Sequence, residues 1–130
     1  MREEKLGVLC SGRGSNLASI IAAIEDGSIH AEIAVVIADK ADAYALERAR
    51  KKGIPAIAVV RRDYAERDAF ERALLEQLYA HGVRLVVLAG FMRILSPLFV
   101  HAYTGRILNI QRFCPASLGR TRIVMHSPTG

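Results

Sequence analysis

The feature that most limits what this chain can fold into is a regular exchange between two hydrophobic periods. Short apolar runs, Leu6 to Cys10, Ile33 to Ala38, Pro55 to Val60, Val83 to Ala89 and Arg106 to Ile110, read as strands. Between them the period becomes that of a helix. In Ser15 to Asp26 the residues Leu17, Ile20, Ile21 and Ile24 recur at i, i+3, i+4 and i+7, and Gly27 ends the pattern. Asp42 to Lys52 reads as a second helix, with Lys51 and Lys52 beside its free carbonyls and Gly53 as its stop. Tyr64 to His81 forms a long third, whose inner face is Phe70, Ala73, Leu74 and Leu78, and Ser96-Pro97 opens a short fourth. The run from Ile33 to Ala38 is apolar throughout, as a strand covered on both faces must be. Strands alternating with helices over short connections require right-handed crossovers. The expected fold class is therefore α/β, a doubly wound parallel sheet with helices on both faces. Residues 1–110 carry this order. Residues 111–130 show neither period and are expected to be irregular.

Composition removes several classes of function. A chain of 130 residues is one domain. No apolar run approaches the roughly 18 residues of a membrane span. Too few apolar residues follow Met1 to Lys5 for a signal-peptide core, so a cytoplasmic protein with no membrane partner is expected. The net charge of +5 does not indicate nucleic acid: Arg112, Arg120 and Arg122 lie in the acid-free stretch 110–130, leaving 15 of the 18 basic residues against all 13 acidic ones. Cys10 and Cys114 have neither a disulfide framework nor metal-ligand spacing, so no metal is expected, and Cys10 ends an apolar run that suits a core thiol. His30, His81 and His101 read as solvent-facing residues in connections or at helix ends.

Chemistry concentrates at the strand exits. The first strand runs into Ser11-Gly12-Arg13-Gly14-Ser15-Asn16-Leu17, where two glycines allow close approach of the backbone to an anion and the following helix offers free N–H groups. A tight turn that merely needs glycine conformations accounts equally well for the pair. A dinucleotide fingerprint would need glycine where Leu17 stands, and a Walker loop would need Gly-Lys-Ser/Thr, so the ligand that fits is a small monophosphate. Asn109, near the end of the last strand, is by itself more often a turn former than a donor to developing negative charge.

Four segments in order resemble the phosphoribosylglycinamide formyltransferases: the Ser11 to Leu17 loop, Asp39 to Tyr44 with Leu46 to Ala49, Val86 to Pro97, and Gly105 to Ile110. The resemblance covers residues 5–110. It implies a Rossmann-like formyltransferase fold and transfer of a formyl group from 10-formyltetrahydrofolate to the amine of glycinamide ribonucleotide, in purine synthesis. It further implies that Gly12, Arg13, Gly14, Ser15, Asn16 and Leu17 bind the ribonucleotide, with the phosphate at Gly14 to Asn16. Met92, Arg93, Ile94 and Leu95, with Arg67 and Asn109, would bind the folate, and Asn109 would be catalytic. Other folate-dependent formyltransferases, a formyltetrahydrofolate hydrolase, and a non-catalytic module binding phosphate or folate are the alternatives.

The chain departs from the family after Ile110. Where the family continues Asn-Ile-His-Pro-Ser-Leu-Leu-Pro, this sequence reads Asn109-Ile110-Gln111-Arg112-Phe113-Cys114-Pro115. Glutamine cannot exchange a proton near neutral pH as histidine does. The aspartate paired with that histidine belongs to a later part of the family, as do its final strands. The expectation is a truncated member with impaired activity. Shifting the reading frame turns the Phe113-Cys114 junction into Leu and the Met125-His126 junction into Ala. The same shift permits a string resembling the family's continuation, so residues 111–130 read as an out-of-frame tail.

Overall fold

A computed structural model describes residues 4–10, 15–91, 95–112 and 122–126. The chain runs β1 (Glu4–Cys10), α1 (Ser15–Glu25), β2 (Ala31–Ala38), α2 (Tyr44–Lys51), β3 (Ala56–Ala58), α3 (Arg67–Ala80), β4 (Leu85–Ala89), α4 (Pro97–Ala102), β5 (Ile107–Arg112) and β6 (Arg122–His126), with a 3₁₀ turn at Arg61–Asp63. The sheet order is β3-β2-β1-β4-β5-β6. The first five strands are parallel and β6 pairs antiparallel with β5. The expected α/β class and doubly wound parallel sheet hold.

The strands are apolar because both faces of the sheet are covered. On one face α1 and α2 pack Leu17, Ile20, Ile21, Leu46 and Ala49 against Val8, Cys10 and Val36. On the other, α3 and α4 pack Phe70, Leu74, Leu78, Phe99 and Tyr103 against Leu9, Val35, Ile37 and Leu88. Alternate residues of β1 thus serve opposite cores, as the two-residue period of a strand requires. Gly7 lets α3 come close: a Cβ there would stand 2.5 Å from Leu78 Cδ2 and 2.9 Å from Val83 Cγ2.

The structure departs from the sequence reading in four places. The long third helix begins at Arg67 rather than Tyr64, because the 3₁₀ turn ends with Tyr64 in extended backbone (φ −121°, ψ 133°). Its inner face includes Leu75 and Glu71, while Ala73 is only half-buried. His81 is half-buried, its Nδ1 lying 2.8 Å from the Gln77 carbonyl oxygen, instead of facing solvent. Residues 111–130 are not wholly irregular, since β5 continues to Arg112 and Arg122–His126 forms a strand. The open edge of β5 presents unpaired N–H and C=O groups, and a short Ile-Val-Met run satisfies them without needing a periodic sequence.

Candidate active site

The winding order of the sheet reverses between β1 and β4, which are parallel. From β1 the chain winds outward through β2 to β3, then returns to place β4 on the other side of β1. In such a sheet the crevice outside the carboxyl ends of the two strands at the reversal is where ligands bind. The register makes the rim level: Ala58, Ala38, Cys10, Ala89 and Ile110 are paired in one row across five strands. Four of those five residues are small, which leaves room above the row.

The segments singled out in the sequence leave this rim from adjacent strands. Cys10 precedes the glycine loop and Ala89 precedes the Gly90 exit, and the two are direct partners. Gly90 is in the left-handed region (φ 73°), which favours glycine, and a Cβ there would meet Asn16 Nδ2 at 3.3 Å. Asn16 in the first turn of α1 and the exit of β4 therefore stand side by side. Ser11 to Gly14 and Met92 to Ile94, which include Gly12, Arg13, Met92 and Arg93, lie outside the described residues. Ser15 begins α1.

The remaining predicted residues divide by position. Leu17 is fully buried in the first core, so its side chain holds the start of α1 rather than reaching the crevice. Leu95 is half-buried and packs on the second core. Asn109 is half-buried, level with Leu88 of β4 and Val124 of β6, one residue below the rim. Arg67 is exposed at the first position of α3, which starts at the rim because β3 points its carboxyl end there.

Sequence reading missed two features. A cleft of about 550 Å³ lies over the ends of β2 and β3, lined by Asp39, Lys40, Ala41, Asp42, Val60 and Arg62. Four of these residues, Asp39 to Asp42, belong to a segment that resembles the family, yet no spacing marked them as a cleft. Another cleft, of about 530 Å³, is lined by Lys5, Glu32 and Pro55 at the opposite edge of the sheet, away from the rim. The second missed feature is Glu71, completely buried within α3 and bonded to Ser96. Cys10 is no nucleophile. Burial, and secondarily the charge of Asp39, push its thiol up to about 12, so it stays protonated near neutral pH. Among the described residues no group of three metal-binding side chains occurs, and no helix is long and apolar enough to cross a membrane.

Comparison with known proteins agrees with this arrangement. Phosphoribosylglycinamide formyltransferase of Escherichia coli strain K12 is 47% identical over 103 residues, which are 79% of this chain and 49% of that enzyme. The trifunctional purine biosynthetic protein adenosine-3 of Chironomus tentans is 44% identical over 110 residues, 83% of this chain but 8% of that protein. The crystal structure of glycinamide ribonucleotide transformylase 1 from Symbiobacterium toebii superposes with a TM-score of 0.80 at 47% identity, covering 83% of this chain and 51% of that one. The chain thus spans about half the length of the single-function relatives it matches. The pattern that defines formyl transferases runs through residues 4–116, from the first strand past the crevice to just beyond the fifth. With that pattern across most of its length and β1 and β4 paired at the sheet reversal, this chain belongs to the formyl transferase family.

Proposed function

We propose that this chain carries the phosphate-binding and folate-binding half of a glycinamide ribonucleotide formyltransferase, acting in the cytoplasm in purine synthesis. The observation that carries the reading is the pairing of Cys10 with Ala89, which sets the glycine loop and the β4 exit on adjacent strands at the sheet reversal. The phosphate of glycinamide ribonucleotide binds at Gly14, Ser15 and Asn16, where free N–H groups and the dipole of α1 favour an anion. Gly12, Arg13 and the buried Leu17 shape that loop.

A flat heterocycle would be held by Met92, Arg93, Ile94 and Leu95 at the exit of β4, with Arg67 at the rim and Asn16 beside Gly90. Bound there, 10-formyltetrahydrofolate supplies the formyl group. Asn109 has the chemistry of a donor that stabilises charge on the formyl oxygen as the amine attacks. Gln111 stands where the family has histidine and supplies no general acid–base help, whose loss typically costs roughly 10²–10⁴ in rate. Binding should therefore outlast turnover in this chain. The departure from the family after Ile110 and the shifted-frame match support an out-of-frame origin for residues 111–130. Such an origin is compatible with β6, since an open strand edge pairs with any β-prone run.

Titration calorimetry with glycinamide ribonucleotide tests the reading. The chain should bind it, and Gly14→Val should abolish binding because a branched Cβ blocks approach to the backbone. Equal affinity in the variant would reduce the glycines to turn formers. Measurable formyl transfer by a soluble chain, at a rate near that of full-length relatives, would refute the impaired-turnover reading. Sequencing the gene past the codon for Ile110 decides the frame.

A further inference from the structure

The second core holds an ionisable group that the proposed chemistry leaves unused. Glu71 has no exposed surface, yet it sits on the inner face of α3 among Phe70, Leu74, Leu75 and Leu78. A carboxylate removed from water destabilises a fold unless donors replace the lost solvent. One residue supplies two of them. Oε2 accepts the Ser96 backbone N–H at 2.8 Å, and Oε1 accepts the Ser96 hydroxyl.

Ser96 precedes α4 in extended backbone (φ −80°, ψ 168°), the position from which serine ordinarily turns its oxygen onto the N–H groups of its own helix. It makes no such cap bond. Its hydroxyl is spent instead on a helix 25 residues earlier in the chain. A well-packed apolar residue at position 71 would fill the same space without the desolvation cost. The carboxylate therefore adds location rather than cohesion, and what it locates is the far end of the segment leaving β4. The near end is fixed already, by the left-handed Gly90 and the buried Phe91.

We propose that Glu71 is a positioning residue for the cofactor: by holding the N–H and the hydroxyl of Ser96 it anchors the residue that follows Met92 to Leu95, and so sets folate affinity. This rests on the reading of Met92 to Leu95 as the folate segment. The test uses the whole chain in four forms: wild type, Glu71→Leu, Glu71→Gln and Glu71→Asp. Amide hydrogen exchange is followed at Ser96 and Leu98. Calorimetry measures binding of 5-formyltetrahydrofolate, an unreactive folate, and separately of glycinamide ribonucleotide.

Glu71→Leu leaves two buried donors unanswered, so exchange at Ser96 should quicken and folate affinity should fall by about tenfold, with ribonucleotide affinity within about twofold. Glutamine accepts from the N–H and can donate to the hydroxyl, so it should stay within about threefold of wild type. Aspartate, one methylene short, should lose more than glutamine does. That ordering decides the matter even if the leucine variant fails to fold. Unchanged folate affinity in a folded leucine or aspartate variant overturns the proposal, as does an equal loss for both ligands, which a merely structural role would give. A wild-type chain that binds the ribonucleotide but no folate refutes the folate reading of the segment instead, and the cofactor role with it.

Discussion

On one face of the sheet α1 and α2 pack through Leu17, Ile20, Ile21, Leu46 and Ala49, small or aliphatic side chains without a polar atom. On the other, α3 and α4 bring Phe70, Phe99 and Tyr103 into the core and enclose Glu71 and Ser96. Among the described residues ring-on-ring contacts occur only there, with Phe99 and Tyr103 stacked at 6.2 Å and Tyr79 on Tyr103 at 5.8 Å. The Tyr103 hydroxyl donates to the Val83 carbonyl at 3.0 Å. Aliphatic packing constrains volume and tolerates small rearrangements. Hydrogen bonds inside a core constrain position, because a displaced donor or acceptor has no water to fall back on. The first face holds the sheet together; the second also ties Ser96, at the start of α4, to Glu71 of α3.

The sharpest way to break this comparison is to empty the second face. Phe70→Ala should cost roughly 3–5 kcal/mol, because a large ring is lost from a site that cannot collapse around it. Urea unfolding measures it, with Leu46→Met on the first face as the volume-conserving control, expected to cost less than about 1.5 kcal/mol. Equal losses would mean that the faces do not differ in tolerance. A smaller effect is expected from Tyr103→Phe, which keeps the ring and strands the Val83 carbonyl. It should cost about 1–3 kcal/mol. Stability unchanged by that substitution would show the hydroxyl to be incidental, and positional control would then fall to Glu71 and Ser96.

The smallest effect concerns the one thiol of the first face. The buried Cys10 thiol, ordinarily near 9.0, is pushed up to about 12. An unfolded chain releases that proton near pH 9 while the folded chain keeps it. The contribution is thus complete below pH 9 and is lost between there and pH 12. Tyr103 adds a loss of the same sign, since burial and then the neighbouring Tyr79, against a weaker opposing pull from Arg106, raise it from 10.0 to about 12. At about pH 9.5 the Cys10 share is below about 1 kcal/mol. Cys10→Ala should flatten only the first part of the decline in urea midpoint with pH. An unaltered decline would assign it all to other groups.

The same contrast explains what could be read in advance. Leu17, Ile20, Ile21 and Ile24 revealed α1 because a helix repeats its buried face every few residues, and Ile33 to Ala38 revealed β2 because both its faces are covered. The glycine pair after β1 marked a strand exit, but a tight turn and an anion cradle write the same pair. Glu71 was not legible. A glutamate one position from Phe70 in a helical pattern looks like the edge of a solvated face, and only Ser96 makes its burial tolerable. The Arg61–Asp63 turn lies in the connection between the third strand and the long helix, and it and β6 are too short to display a period.

By itself the sequence determined the α/β class, the order of the first five strands and their helices, and most of the apolar core, because each is written in spacings within one element. The tertiary structure alone decided that β1 and β4 are neighbours, that Gly90 makes room for Asn16, and that a buried carboxylate meets a serine 25 residues away. The reason is physical. Periodicity reports which way a side chain faces, whereas the partner that makes a buried polar group affordable comes from another part of the chain and exists only once the elements have docked.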